Sequence, residues 1–190
     1  MKKYTIIGGV DGVGRSSLTG VLKGEHSDLG IVVDTDLLTV KMGGDKIKGG
    51  KEAVRIISDC LDKGVNFTQE TTLSGKKTLR TIISAREKDY YIRLYYVGIN
   101  SAAESLLRIK NRVSKGGHDI PADDVKRRYE SRFESLARVL PYCDEVRFYD
   151  NENGFAEVGE YRNGEIVLGG GYVPEWITEL KEYLTAKSGY

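Results

Sequence analysis

The sequence predicts an α/β fold, a parallel sheet covered by helices on both faces, and three observations predict it. Strand-like and helix-like apolar patterns alternate along the first 150 residues. Residues 91–99 are almost continuously apolar and aromatic, as a strand buried on both faces has to be. A glycine-rich stretch, Gly8-Gly9-Val10-Asp11-Gly12-Val13-Gly14-Arg15-Ser16-Ser17, joins the first strand pattern to the first helix pattern.

Taken in order, residues 4–8 form a short β-rich run and 16–22 a helix. A second strand at 31–33 ends on Asp34 and Asp36. Ala53, Val54, Ile57, Cys60 and Leu61 recur at helical spacing within 51–63, and 65–69 is a third strand. Leu79, Ile82 and Ile83 mark one face of a helix over 76–88, which leads into the strand at 91–99. Helices follow at 102–113 and 122–140, the second carrying Val125, Tyr129, Phe133, Leu136 and Leu140 on one stripe. Residues 145–149 complete five parallel strands. The tail then changes character. Runs 155–162 and 165–168 flank Asn163-Gly164, a type I′ hairpin signal. A closing helix over 174–184 has Pro174 in its first turn. The expectation is a three-layer sandwich with a five-stranded parallel core sheet, ordered as in nucleoside monophosphate kinases, plus a C-terminal β-hairpin.

Composition narrows the class. The 190 residues suit one domain, 1–190, with no linker long enough to divide it. Lys and Arg number 29 against 28 Asp and Glu, a net charge of +1, which argues against coating nucleic acid or anionic membrane by bulk charge. Glycine, at 23 residues, is about 12% of the chain against a usual ~7%, while proline is only 3, so neither collagen nor a disordered linker fits. Cys60 and Cys143 stand far apart in apolar patterns and read as reduced thiols. No apolar stretch approaches the ~20 residues that span a bilayer, and a soluble cytoplasmic protein is expected.

From Gly9 the glycine stretch reads G-x-x-x-x-G-R-S, one residue away from the phosphate-loop pattern G-x-x-x-x-G-K-[ST]. Gly9, Gly12 and Gly14 let backbone N–H groups approach phosphate oxygens, and Val13, Ser16 and Ser17 contribute further amides at the N-terminus of the helix. Ser16 stands where a hydroxyl would ligand Mg²⁺. Arg15 departs from the pattern, because a planar guanidinium replaces a compact ammonium.

Phosphate-loop classes can be separated by what else they need. A GTPase needs an Asn-Lys-x-Asp segment, which is absent, and Leu73-Ser74-Gly75-Lys76-Lys77 lacks the surroundings of a transporter ATPase signature. A small kinase needs acceptor-side carboxylates and arginines over the phosphates. Asp34 and Asp36 lie at the end of strand two, on the crevice side of a parallel sheet, and both face it if the segment is extended. Asp36 could instead cap a turn before Leu37-Leu38. Glu70, Thr71 and Thr72 end strand three in the same crevice and suit a polar substrate, with strand-end capping by Thr72 and Ser74 a competing use. Between Arg108 and Arg132 there are eight Lys and Arg against four Asp and Glu. Arg108, Arg112, Arg127, Arg128 and Arg132 flank a Gly116-Gly117-His118-Asp119-Ile120-Pro121 turn, the make-up of a lid over 108–132. The bland alternative is two solvated helix faces with pairs such as Asp124–Arg128.

The glycine loop, Asp34-x-Asp36, Glu70-Thr71-Thr72-Leu73-Ser74-Gly75, Arg108-x-x-x-Arg112, the Gly-Gly-His-Asp-Ile-Pro string, Arg127-Arg128-Tyr129 and Tyr149-Asp150-Asn151 together resemble zeta toxin-like phosphate-loop kinases, above all their stand-alone bacterial branch, over residues 4–152. The resemblance implies a kinase using ATP and Mg²⁺, with Asp36 as catalytic aspartate and Arg112 and Arg128 in the lid. It implies that Asn151 follows strand five at the nucleotide. Toxin members of the family phosphorylate UDP-N-acetylamino sugars. Arg15 and Asp34 depart from the family pattern, where Lys and Asn are expected.

The expected activity is transfer of the ATP γ-phosphoryl group to a hydroxyl of a small polar acceptor, with a nucleotide sugar as one candidate. Asp36, Arg112 and Arg128 would act on the reacting groups, and Asp34, Glu70 and Thr71 would bind the acceptor. A nucleotide-binding sensor with little transfer is the alternative that Arg15 raises, and a nucleic-acid end kinase is a third. The sequence names no antitoxin partner.

Overall fold

In the computed structural model, which describes residues 1–188, the chain folds as a seven-stranded sheet with helices on both faces. The strands are β1 (Lys3–Gly8), β2 (Ile31–Asp34), β3 (Phe67–Thr71), β4 (Tyr91–Val97), β5 (Glu145–Asp150), β6 (Ala156–Arg162) and β7 (Glu165–Leu168), in the order β2-β3-β1-β4-β5-β6-β7. The first five are parallel, as expected, while β6 and β7 pair antiparallel. The five-stranded expectation therefore needs one correction: the C-terminal hairpin extends the same sheet beyond β5 instead of standing apart. Asn163 and Gly164 both have positive φ, 54° and 86°, as the expected hairpin turn requires.

Alternate residues of each central strand feed two cores. Tyr4, Ile6, Leu94, Tyr96 and Phe148 face one side, where α3 (Lys46–Lys63), α4 (Lys77–Glu87), α7 (Arg132–Ala137) and α8 (Glu175–Ser188) cover them. Ile7, Tyr95 and Val97 face the other, with Leu18 and Leu22 of α1 (Arg15–Glu25). Tyr4 stacks on Phe67 with ring centroids 4.3 Å apart. One charged side chain interrupts the apolar run of β4. Arg93 is buried, donates to Thr5 Oγ1 and pairs with Asp28 at 2.9 Å, which holds the Asp28 carboxyl down to about 2.

Two helix expectations change. The single helix over 122–140 is broken at Ser131 into α6 (Ala122–Glu130) and α7, followed by a 3-10 turn at Leu140–Tyr142. At the break the Ser131 N–H and Oγ both donate to the Arg127 carbonyl, at 3.2 and 3.0 Å, and Arg132 Nη1 donates to the Tyr129 carbonyl at 3.0 Å, side-chain bonds that compete with the helix ladder. The segment after β2 is a helix, α2 (Thr35–Lys41), rather than extended chain. Asp34 caps it, and Asp45 caps α3 five residues earlier than expected. Gly49 in α3 lies against Thr39 so closely that a Cβ there would stand 2.3 Å from Thr39 Oγ1.

Parallel pairing brings the C-terminal ends of β1, β2 and β3 together. Asp34 lies beside Glu70, and Gly8 beside Thr71. The site grows from these ends.

Candidate active site

The glycine loop leaves β1 at Gly8 and enters α1 at Arg15. Gly14 takes the left-handed conformation at φ 96°, and a Cβ there would sit 2.6 Å from Asn151 Nδ2. That amide donates to the Val13 carbonyl at 2.9 Å. Asn151 thus clamps the loop backbone from the end of β5, which is where the structure places this expected nucleotide residue. From the other side, Ser105 of α5 (Ala102–Ser114) donates to the Asp11 carbonyl. Arg15 is folded back onto the loop. Its Nη1 donates to the carbonyls of Gly9 and, at 2.9 Å, Val10, and its Nη2 lies 3.9 Å from Asp11 Oδ1. Its buried Nε has no partner among the described residues.

Three carboxylates meet the loop. Glu70, 8% exposed, accepts from Ser16 Oγ at 2.6 Å and Thr19 Oγ1 at 2.7 Å. Burial raises its pKa, and these two hydroxyls partly oppose the rise. Asp34 Oδ2 lies 3.4 Å from Ser16 Oγ, while its Oδ1 accepts from the backbone N–H groups of Asp36 and Leu37 at 2.9 and 3.1 Å. The extended geometry expected for Asp34 and Asp36 is therefore replaced by a capped helix, with Asp36 in its first turn. Asp36 is exposed, and its carboxylate has no hydrogen bond or ion pair to another described residue. Ser16, Asp34 and Glu70 present the all-oxygen donors that suit Mg²⁺, which takes one or two carboxylates alongside substrate phosphates. Among the described residues no group of three or more His, Cys, Asp and Glu forms a dedicated metal cage.

Two cavities flank this cluster. One, of about 360 Å³, runs over β3 and α4 and is lined by Gln69, Thr72, Ser74 and Lys77 among others. The second, of about 370 Å³, lies over Gly12–Ser17 and reaches Arg112 and His118. Both are lined by Arg15, Asp34, Asp36 and Glu70, which stand at their junction. Thr71 faces the first cavity but is engaged in the turn after β3, accepting from Leu73 N at 3.1 Å and sharing a 3.1 Å hydrogen bond with Thr78. Thr72 and Ser74 bond each other hydroxyl to hydroxyl at 2.7 Å, and the backbone N–H of the turn is capped by Thr71 rather than by either of them.

Helices α5 and α6, where the sequence suggested a lid, divide the arginines. Arg128 turns inward and donates to Asp11 Oδ2 at 2.9 Å. Arg127 turns outward to Asp124 at 2.7 Å, in place of the Asp124–Arg128 pair of the solvated-face alternative. Arg112 lines the loop cavity and donates to the His118 carbonyl at 2.7 Å, holding the Gly-Gly turn. Arg108 donates to the Asn151 carbonyl at 2.9 Å. Arg132 is a structural member: it pairs with Glu179 at 2.7 Å and stacks on Tyr129 and Phe133. The sequence reading missed Asp11, Thr19 and Lys77. Thr19 had a legible signal, since it follows Ser16 by three residues on the same helix face. The other two had none.

Fold and site together define the class. A glycine loop on a sheet of this order, with carboxylates at the neighbouring strand ends and arginines on α5 and α6, matches in fold the zeta toxin-like phosphate-loop kinases. The solved structure of the PezAT chromosomal toxin-antitoxin system of Streptococcus pneumoniae superposes with a TM-score of 0.66 at 14% identity, covering 100% of this chain and 86% of that one. The AvrRxo1-ORF1:-ORF2 complex with ATP superposes with a TM-score of 0.64 at 16% identity, covering 97% of this chain and 64% of that one. No family model matches the sequence. An uncharacterized protein of Haemophilus influenzae is 32% identical over 126 residues, which are 64% of this chain and 88% of that protein, and the chain belongs to the same family. Among the described residues no helix is long and apolar enough to cross a membrane.

Proposed function

We propose that the protein is a kinase that moves the γ-phosphoryl group of ATP to a hydroxyl of a small polar acceptor. The observation that carries this reading is the junction: the loop cavity and the β3–α4 cavity open onto the same four residues, Arg15, Asp34, Asp36 and Glu70. A donor phosphate held by the loop and an acceptor hydroxyl in the second cavity would meet there, and phosphoryl transfer asks the protein for little beyond such positioning and charge.

Each carboxylate has a distinct part. Glu70 is committed to Ser16 and Thr19, and one oxygen of Asp34 to the cap of α2. Asp36 is the one of the three whose carboxylate is unengaged, so it orients the acceptor hydroxyl and takes its proton at a carboxylate oxygen. The backbone amides of residues 12–16 cradle the phosphates. Arg112 on the loop side and Arg128 on the acceptor side neutralise charge on the transferring group. Mg²⁺, held by Ser16 with Asp34 or Glu70, would supply charge neutralisation between the phosphates. The mixed hydroxyl, amide and ammonium lining of Gln69, Thr72, Ser74 and Lys77 suits an acceptor rich in hydroxyls, and a nucleotide sugar is the candidate that the family resemblance favours.

A second reading has its own observation. Arg15 spends Nη1 on the Gly9 and Val10 carbonyls, which fits a loop that binds nucleotide with little transfer. A thermal-shift panel of ATP, GTP and UDP-sugars with Mg²⁺, followed by mass detection of phosphorylated product, tests the kinase reading. Stabilisation by Mg·ATP and a phosphorylated acceptor are expected. Stabilisation without product from any hydroxylated acceptor would favour the sensor, and no response to any nucleotide would refute both.

A further inference from the structure

A buried carboxylate inside a phosphate-binding loop is an expense that needs a return. Asp11 is 2% exposed and occupies a variable position between Gly9 and Gly12. Its negative charge opposes the anion that such a loop attracts, and burial denies it water. It does not fold the loop, because its side chain accepts from no loop N–H group. Its side-chain partners among the described residues are two guanidiniums: Arg128 at 2.9 Å on Oδ2 and Arg15 at 3.9 Å on Oδ1. Arg128 lies 117 residues away, on helix α6. The direct partner of this charge is thus Arg128, since Arg15 is held by its own bonds to the Gly9 and Val10 carbonyls.

We propose that Asp11 is a positioning residue, which ties the lid to the phosphate loop by holding Arg128 at the wall of the acceptor cavity. Three structural facts fit this role. Arg128 lines that cavity together with Asp11 and Arg15. Its neighbour Arg127 points to solvent, 68% exposed, so α6 itself does not force both arginines inward. The other lid helix, α5, has separate tethers through Ser105 to the Asp11 carbonyl and Arg108 to the Asn151 carbonyl. Helix α6 keeps two other holds, buried Val125 packed with Ile109 and the Tyr129 hydroxyl donating to the Asn100 carbonyl at 2.7 Å, so breaking the Asp11–Arg128 pair loosens α6 at Arg128 while the α5 tethers stay.

The kinetic arm of the test rests on the kinase reading; the structural arm does not. Full-length wild type, Asp11→Asn, Arg128→Ala and the double variant are compared by amide hydrogen exchange and by turnover with Mg·ATP and the acceptor found in the panel. Each single variant should speed exchange across residues 122–130 without changing α5, and the double variant should add nothing to either. Each should lower kcat on the order of 100-fold with a smaller change in nucleotide KM, again without further loss in the double, because misplacing one charged group at the reacting centre has that effect. A merely structural Asp11 would lower the melting temperature and leave the kcat effects of the two variants multiplicative. Multiplicative kcat effects, or unchanged exchange in α6, would overturn the proposal. If Asp11→Asn does not fold, Arg128→Ala alone decides: faster exchange confined to α6 supports the tie, and equal or absent change in α5 and α6 refutes it. Coupled exchange in a protein that transfers no phosphate would sink the kinase reading and leave the tie standing.

Discussion

Replacing Asp36 by asparagine separates chemistry from folding more cleanly than any other change at the site. The carboxylate is exposed, caps nothing and pairs with nothing among the described residues; only its backbone N–H is used, by Asp34 Oδ1 at 2.9 Å. Asparagine keeps that bond. The loss in stability is then limited to the favourable charge at the first turn of α2, about 0.3–1 kcal/mol, which lowers the melting temperature of a domain this size by roughly 1–4 °C. Turnover should fall far more. Removing a general base costs about 10²–10⁴ in rate, or roughly 3–5 kcal/mol of barrier. Mass-detected product formation gives the rate, and a melting curve on the same sample gives the stability. Asp34→Ala gives the stability reference, although Asp34 also stands beside Ser16 at the proposed metal position. It removes the cap that accepts from Asp36 and Leu37, costing about 1 kcal/mol of stability. If Asp36→Asn turns over within about fivefold of wild type, the proton goes elsewhere and the assignment fails.

Three further outcomes are expected. The folded state holds the Glu70 proton more tightly than the unfolded chain, so this group favours folding below its unfolded pKa and ceases to as pH rises through its folded value. Glu70→Gln should therefore gain stability over wild type as pH climbs from about 4 to 8; melting curves across that range that stay parallel would contradict it. Arg15→Lys forfeits the two-pronged contact with the Gly9 and Val10 carbonyls and should lower both melting temperature and turnover; a large rise in turnover would show a loop that merely lacks its lysine. Chelation of Mg²⁺ should abolish most of the thermal stabilisation by ATP, and an undiminished shift would remove Ser16, Asp34 and Glu70 from the metal role.

The sequence was most readable where local rules decide the structure. Glycines between an apolar strand and a helix leave little choice but a loop of this kind, and the expected glycine conformation appears at Gly12 and Gly14 with φ 78° and 96°. The crevice carboxylates were legible because parallel strands put their C-terminal ends at one edge. Legibility ended where one side chain chooses among partners. Helical spacing sets Arg128, three residues after buried Val125 and next to Tyr129, on the packed side and Arg127 opposite; what the pattern hides is the partner met there, Asp11, far away in sequence. The break at Ser131 was hidden because Tyr129, Phe133 and Leu136 keep the same apolar stripe across it, while the Ser131 hydroxyl and the Arg132 guanidinium add bonds to carbonyls at the end of α6. Helix α2 escaped because its seven residues follow β2 directly, and the first aspartate of the pair, Asp34, serves as its cap.

The near-zero net charge of the chain is reproduced at the site itself, and there it has consequences. Arg15, Arg112, Arg128 and Lys77 line the two cavities against Asp11, Asp34, Asp36 and Glu70. These cations do not amount to a general positive funnel, because each cluster of charge is matched nearby. Asp11 offsets the loop arginines, and the acids at the ends of β2 and β3 offset what remains. A triphosphate entering such walls meets little net attraction, so its affinity has to come from oriented loop amides and from a cation brought in with it. The balance also accounts for tolerance of Arg15. With the guanidinium turned onto loop carbonyls, it stiffens the loop more than it attracts phosphate, and the charge facing the transferring group falls to Arg112 and Arg128. On the kinase reading proposed above, the loop would hold the nucleotide while the arginines of α5 and α6 supply the charge that favours transfer.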